Sequence, residues 1–194
     1  MGKKVNTIVK GNFDFYLKLC KEEKTFDVNP IELNEEKASH KKTNTKFVDV
    51  VHITLPNELL FCVESDKTDA KNFKFKLWCK DTYNQPFFRF DSDGLAHKNT
   101  NPDVPLEEQS ITTPHFHAFD KDGREYAYKT EHLKDANEEK AIVADINFAA
   151  AHFCVEANLK LKTGDNIEII QTSKAELPFA APVEEDPLRN VTFD

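Results

Sequence analysis

The sequence predicts an α+β domain: a strongly bent antiparallel sheet, barrel-like in its curvature, flanked by an N-terminal and a C-terminal helix. Three observations carry that reading. Aromatic and β-branched residues crowd into short runs between residues 47 and 91. Apolar residues recur three and four apart well before and well after that region, from Phe13 and again from Ile142. Short Asp/Gly-rich spellings separate the later runs, as turns do. With 194 residues the chain is long enough for one domain with a sizeable core, and sixteen phenylalanines make aromatic packing its main content.

Taken in order, Asn12 precedes Phe13, Tyr16, Leu17 and Cys20, which predicts a short amphipathic helix capped by Asn12. Residues Asn29 to Lys46 are rich in Lys and Glu without a clear period, and read as a long exposed loop. Phe47 to Leu55 and Leu59 to Glu64 read as two strands. Phe73, Phe75, Leu77 and Cys79 alternate with Lys74, Lys76, Trp78 and Lys80, a half-buried third. Phe87 to Asp91 makes a fourth, and Pro114 to Phe119 with Arg124 to Thr130 a fifth and sixth. Ser92 to Thr113 is then a long loop carrying His97. A three-residue turn at Lys121-Asp122-Gly123 would pair His117 with Ala127 and His115 with Lys129, and a four-residue loop would set the histidines opposite Tyr126 and Tyr128. Glu138 to Asn158 predicts one long helix, with Asp135 and Asn137 as caps and Ile142, Ile146, Ala149 and Phe153 facing inward. Asn166 to Thr172 reads as a closing strand. Residues 1–174 form the domain, and 175–194, with three prolines and a Glu184-Glu185-Asp186 run, an extended tail.

Composition removes several function classes. Five glycines leave no GxGxxG or GxxxxGK[ST] loop for phosphates. A net charge of −8 works against non-specific nucleic-acid binding, although a local basic cleft could still hold RNA or a nucleotide, and an acidic exterior suits a basic protein partner. Cys20, Cys62, Cys79 and Cys154 are scattered, and Cys62 and Cys79 read as buried apolar groups. The N-terminus lacks a signal-peptide pattern and no apolar run reaches membrane-helix length, so the expectation is a cytoplasmic protein with no membrane contact.

Chemistry concentrates between residues 89 and 130. On a strand, side chains alternate between faces, so His115 and His117 project together. Paired imidazoles suit acid–base cleavage of a phosphodiester, one accepting the 2′-hydroxyl proton and the other protonating the leaving oxygen. His97 would assist, and Arg89, Asn99 and Lys129 would hold the substrate. This version needs no metal or other cofactor. A divalent metal on His97, His115 and His117, with Asp91 as a further ligand, is the second reading. The bland alternative is a polar strip on the sheet. Asp91-Ser92-Asp93-Gly94 and Asp120-Lys121-Asp122-Gly123 echo a calcium loop but lack its remaining ligands, so they read as turns.

The order Arg89-x-Asp91, His97-Lys98-Asn99, Pro114-His115-Phe116-His117, Tyr126-Ala127 resembles an uncharacterised family of small bacterial and phage proteins with Arg-x-Asp, Pro-His-Arg-Asn and Pro-His-Leu-His segments. Ala96 stands where that family has Pro, and Lys98 where it has Arg. A more distant likeness is to TumE-type toxins, whose last two histidines are spaced by two residues rather than one. The resemblance implies a toxin- or defence-associated ribonuclease working through Arg89, His97, His115 and His117, with an antitoxin or host defence protein as partner. The competing expectation is a non-catalytic binder that sequesters a nucleotide or inhibits a defence protein.

Overall fold

The computed structural model describes residues 5–80, 82–100, 105 and 109–171, and the tail expected from residue 175 lies outside them. Its centre is a strongly curled, open half-barrel sheet, so the fold is α+β. The strands are β1 (Lys24–Phe26), β2 (Ile31–Leu33), β3 (Glu35–Lys37), β4 (His40–His52), β5 (Leu59–Asp66), β6 (Phe73–Cys79), β7 (Phe88–Asp91), β8 (His97–Lys98), β9 (Ser110–Ile111), β10 (His115–Phe119), β11 (Glu125–Tyr128), β12 (Leu159–Leu161) and β13 (Ile169–Gln171). The main sheet runs β11-β10-β7-β6-β5-β4-β1-β12, with β3 paired to β4. Every pair in it is antiparallel except β1 with β12. The expected closing strand, β13, pairs with β2 in parallel, in a small separate sheet.

The expected loop over Asn29–Lys46 is instead largely strand. Ile31 and Leu33 are fully buried, and β4 extends back to His40, where Thr43, Asn44 and Thr45 pair with Asp66, Ser65 and Glu64. Asn44, Thr45, Glu64 and Ser65 are polar yet buried, so β4 shows no apolar alternation here. Backbone pairing and cross-strand ion pairs fix its register, among them Lys46 with Glu35 at 2.6 Å and Lys37 with Glu64 at 2.8 Å.

One sheet face is aromatic. Phe61, Phe75, Phe88 and Phe116 line it, and Phe153 lies within 5.4–6.3 Å of all four ring centres. The predicted long helix is two: α4 (Ala136–Ala144) and α5 (Ile146–Glu156), following a single turn, α3 (Glu131–Lys134). Asp145 breaks it, with extended backbone (φ −135°, ψ 117°) and a side chain that accepts from Asn147 N. The apolar stripe survives the break, because Ile142, Ile146, Ala149 and Phe153 are all buried.

At the N-terminus, α1 (Thr7–Gly11) precedes α2 (Phe13–Lys21), and Asn12 caps α2 by accepting from Phe15 N at 3.2 Å. At the far end of α2 the fully buried Lys24 ammonium donates to the carbonyls of Leu19, Cys20 and Glu22. Burial pulls its pKa down to about 8. No helix among the described residues is long and apolar enough to cross a membrane.

The turn between β10 and β11 has three residues. Asp120 N donates to Arg124 O, and Gly123 takes the left-handed conformation at φ +73°. Asn6 N donates to Gly123 O at 2.7 Å, and a Cβ on Gly123 would stand 2.2 Å from Asn6 O. Gly123→Ala is therefore expected to cost about 2–3 kcal/mol, from positive φ and a backbone clash together, read as a lower urea midpoint at unchanged slope.

Candidate functional site

The reverse face of the same strands is polar because alternation leaves it no choice. Where β6 presents Phe73, Phe75 and Leu77 to the core, Lys74 and Lys76 fall on the other side. Two rows of direct neighbours cross the sheet there. One runs Glu64, Lys74, Asp91, His115; the next runs Cys62, Lys76, Arg89, His117, Ala127. The three-residue turn gives the His117–Ala127 register, so His115 and His117 share a face as alternation requires.

These groups are packed closely and shielded from water. His115 is 1% exposed, His117 4% and Asp91 8%. Nε2 of His115 lies 2.8 Å from Nε2 of His117. The same His117 nitrogen is 2.9 Å from Arg89 Nη2 and 3.4 Å from Asp91 Oδ2. Its other nitrogen, Nδ1, is 3.4 Å from Glu125 Oε1, and Arg89 bridges the two carboxylates, Nε to Asp91 at 3.3 Å and Nη2 to Glu125 at 3.6 Å.

The proton count at His117 Nε2 does not close. A ring nitrogen offers either one lone pair or one proton. Arg89 can only donate and needs the lone pair; Asp91 as carboxylate can only accept and needs the proton. His115 competes for whichever is present. Arg89 Nε, Asp91 Oδ1 and His117 Nδ1 are meanwhile buried without a well-formed hydrogen bond.

Charge follows from these surroundings. Burial alone would push the Asp91 carboxyl up, but the His117 hydrogen bond and the Arg89 and Lys74 charges outweigh it and hold it at about 2. Burial pulls His115 down, and the neighbouring His117 adds to that, against the Thr112 backbone and Asp91. Asp91 is thus an anion and His115 a neutral base, and both have lone pairs to give.

His97 arrives from above the sheet. The short hairpin of β8 with β9 brings its ring to 4.8 Å from that of His117 and 6.4 Å from that of His115. Asn99 fastens this hairpin. Its side-chain amide donates to Ala127 O and accepts from Ala127 N, each at 2.8 Å, along the outer edge of β11. Two sets of ligand-type atoms lie within 4.8 Å of one another: Asp91, His115, His117, and His97, His117, Glu125.

The structure thus brings together Arg89, His97, His115 and His117. It directs two predicted substrate-binding residues elsewhere. Lys129 follows the end of β11, and its ammonium pairs with Glu139 of α4 at 2.9 Å, while Asn99 spends its amide on the Ala127 backbone. The turn reading holds for Asp120, whose carboxylate accepts from Asp122 N and Arg124 N, but Asp91 ends a strand and faces the histidines. Glu125 is not among the predicted site residues. Its signal lay in the hairpin register, which sets it two residues from the neighbour of His117 on the same face.

A second buried charge cluster lies on this face. Glu64 Oε1 accepts from Lys37 at 2.8 Å and from Lys76 at 2.6 Å.

Comparison with known proteins gives no match: no family model, no curated protein and no solved structure is significantly similar to the chain.

Burial pushes the Glu64 carboxyl up, but the two ammonium groups outweigh it and set it below the ordinary glutamate range. A depressed carboxyl stabilises the fold above its unfolded pKa and loses that contribution as pH falls through the folded value. Glu64→Gln is therefore expected to cost about 3 kcal/mol at pH 7, because it strands the buried Lys76. The gap to wild type should begin to shrink below the ordinary glutamate pKa of about 4.3, where the unfolded chain takes up the proton, and close as pH falls through the lower folded value. Urea unfolding of both proteins at pH 7 and pH 3 measures it.

Proposed function

We propose that Asp91, His115 and His117 bind a divalent transition-metal ion, and that the protein uses it to hydrolyse a small phosphoester. The observation that carries this reading is the spacing of the three donor atoms, 2.8 Å and 3.4 Å, in a buried cluster. Ligands about 2.1 Å from one ion stand roughly 3.0–3.4 Å from each other, in octahedral or tetrahedral geometry, so the carboxylate already fits and the two imidazoles would part by a few tenths of an ångström. A cation also resolves the conflict at His117 Nε2, because it accepts several lone pairs at once where a proton accepts one. Two imidazoles and a carboxylate suit zinc, iron or manganese. His117 Nδ1–H would then point at Glu125, the outer carboxylate that fixes a metal-bound imidazole in the right tautomer. Arg89 would turn from His117 toward Glu125 and the phosphoryl oxygens. A bound ion would supply an activated water as nucleophile at neutral pH.

Burial favours a small substrate over a polymer, since the histidines are nearly closed to solvent. The second reading is metal-free acid–base cleavage, of RNA or of a nucleotide. One observation favours it: the 2.9 Å contact of Arg89 with His117, in which the guanidinium already fills the cation's role beside the imidazole pair.

Titration of chelator-treated protein with Co²⁺, followed by its visible spectrum, tests the metal reading. One ion per chain is expected, with affinity lowered about 10–100-fold in Glu125→Gln and more in Asp91→Asn, while circular dichroism stays native. Hydrolysis of a phosphodiester such as bis(p-nitrophenyl) phosphate should require the ion. Absence of Co²⁺ binding by the folded wild type overturns this reading. Chelator-resistant cleavage lost in His115→Ala would then establish the acid–base version, and ligand capture with no turnover a binder.

A further inference from the structure

We infer that a second divalent ion binds between His97, Glu125 and Nδ1 of His117, so that the His117 ring bridges two metals. The inference rests on the inner site proposed above and adds an outer ion with ligands of its own.

An imidazole carries two ligating nitrogens on one rigid ring, and those of His117 face different groups. Nε2 meets Asp91 and His115, the inner set. Nδ1 lies 3.4 Å from Glu125 Oε1. That nitrogen is buried, on a residue 4% exposed, and has no hydrogen-bond partner among the described residues. A polar atom so placed costs free energy unless something binds it. A ligand-type atom from each of His97, His117 and Glu125 lies within 4.8 Å of the other two. Ligands of one ion stand roughly 3.0–3.4 Å apart, so Glu125 and His117 already have the spacing and His97 closes in by at most about 1.5 Å. Neither partner is packed tight: His97 is half-buried on β8, and the Glu125 side chain is 36% exposed.

Binding is a ligand exchange. With the inner ion alone, Nδ1 keeps its proton and directs it at Glu125. The outer ion takes the Nδ1 lone pair, the displaced proton passes to the buffer, and no electron changes hands. Two cations on one ring stabilise its anion. That anion and the Glu125 carboxylate offset the outer ion's charge, while the inner ion and Arg89, 3.6 Å from Glu125, oppose it. The outer ion is therefore the weaker, and the inner site fills first.

Its position gives it a role. One ring and two metal–nitrogen bonds of about 2.1 Å set the ions roughly 6 Å apart. Ions that share one water stand about 3.5–4 Å apart, so these two would act separately. Glu125 lines the open cleft between α2 and β11, whereas His115 is 1% exposed. The outer ion has three protein ligands and faces the accessible side, which suits it to hold a phosphoryl oxygen while water on the inner ion attacks.

Chelator-treated wild type and His97→Ala are titrated with Cu²⁺ and followed by electron paramagnetic resonance at low temperature. Copper binds most tightly of the divalent first-row ions, and its unpaired electron reports its neighbours. The first equivalent should give one spin per chain in both proteins. In the wild type the second equivalent should make that signal fall toward zero, because the electrons of two coppers joined through an imidazolate pair. In His97→Ala, and equally in His97→Gln, the first signal should persist. Copper held adventitiously elsewhere adds signal and cannot remove it. Native circular dichroism and the first-equivalent signal together establish that each variant is folded with its inner site intact. A wild-type signal that only grows with the second equivalent overturns the outer site and leaves the inner one standing. Spin loss that persists in both His97 variants overturns the ligand set. A first equivalent that fails to bind overturns the inner site, and the bridge with it.

Discussion

The antiparallel ladder between β7 and β10 is the constraint on which the rest depends. It opposes Arg89 to His117 and Asp91 to His115 in consecutive steps on one face. Cross-strand neighbours have Cβ atoms about 5 Å apart, so a guanidinium, a carboxylate and two imidazoles are forced into contact. A slip of one residue in that ladder would turn the two cluster residues of the slipped strand into the aromatic core. The polar cluster therefore has its position because the opposite face has its phenylalanines.

Those phenylalanines also explain how the cluster tolerates its own frustration. Phe88, Phe90 and Phe116 alternate with Arg89, Asp91, His115 and His117 along the same two strands, and Phe90 and Phe116 sit 5.0 Å apart, ring centre to ring centre. Phe153 covers the aromatic side, touching four strands' worth of rings. Buried polar atoms without good partners cost free energy, and the aromatic packing behind them offsets it. The hairpin of β8 and β9 completes the enclosure from above.

Much of this was legible in the sequence, and the exceptions have physical causes. Alternation placed His115 and His117 together, whereas the choice between a three- and a four-residue turn, and with it their register, is settled only by the structure. Asn12 and Asp135 declared themselves as caps. The strands before Lys46 leave too short an apolar period to read, a single Ile31 and Leu33 pair in β2, and ion pairs with buried polar side chains hold the rest. The break at Asp145 was hidden by a stripe that runs through it unaltered. Lys129 looked like a cluster residue only while β11 was assumed to continue past Tyr128. Asp91 already stood at the end of its predicted strand as a further ligand, whereas Glu125 depends on the pairing across the hairpin. Three-dimensional proximity of loops to strands, as for His97, is carried by no local pattern.

The attachment of Asn99 has a chemical consequence. One carboxamide satisfies both main-chain groups of Ala127, doing for the margin of the sheet what a further strand would do, and so denying that margin to another chain. Only an amide can play both parts. Deamidation of that side chain would exchange its N–H donor for an anion facing the Ala127 carbonyl, turning attraction into repulsion. The spontaneous ageing of one asparagine would thereby unfasten His97 from its companions and open a sticky border, joining loss of the cluster to self-association in a single event.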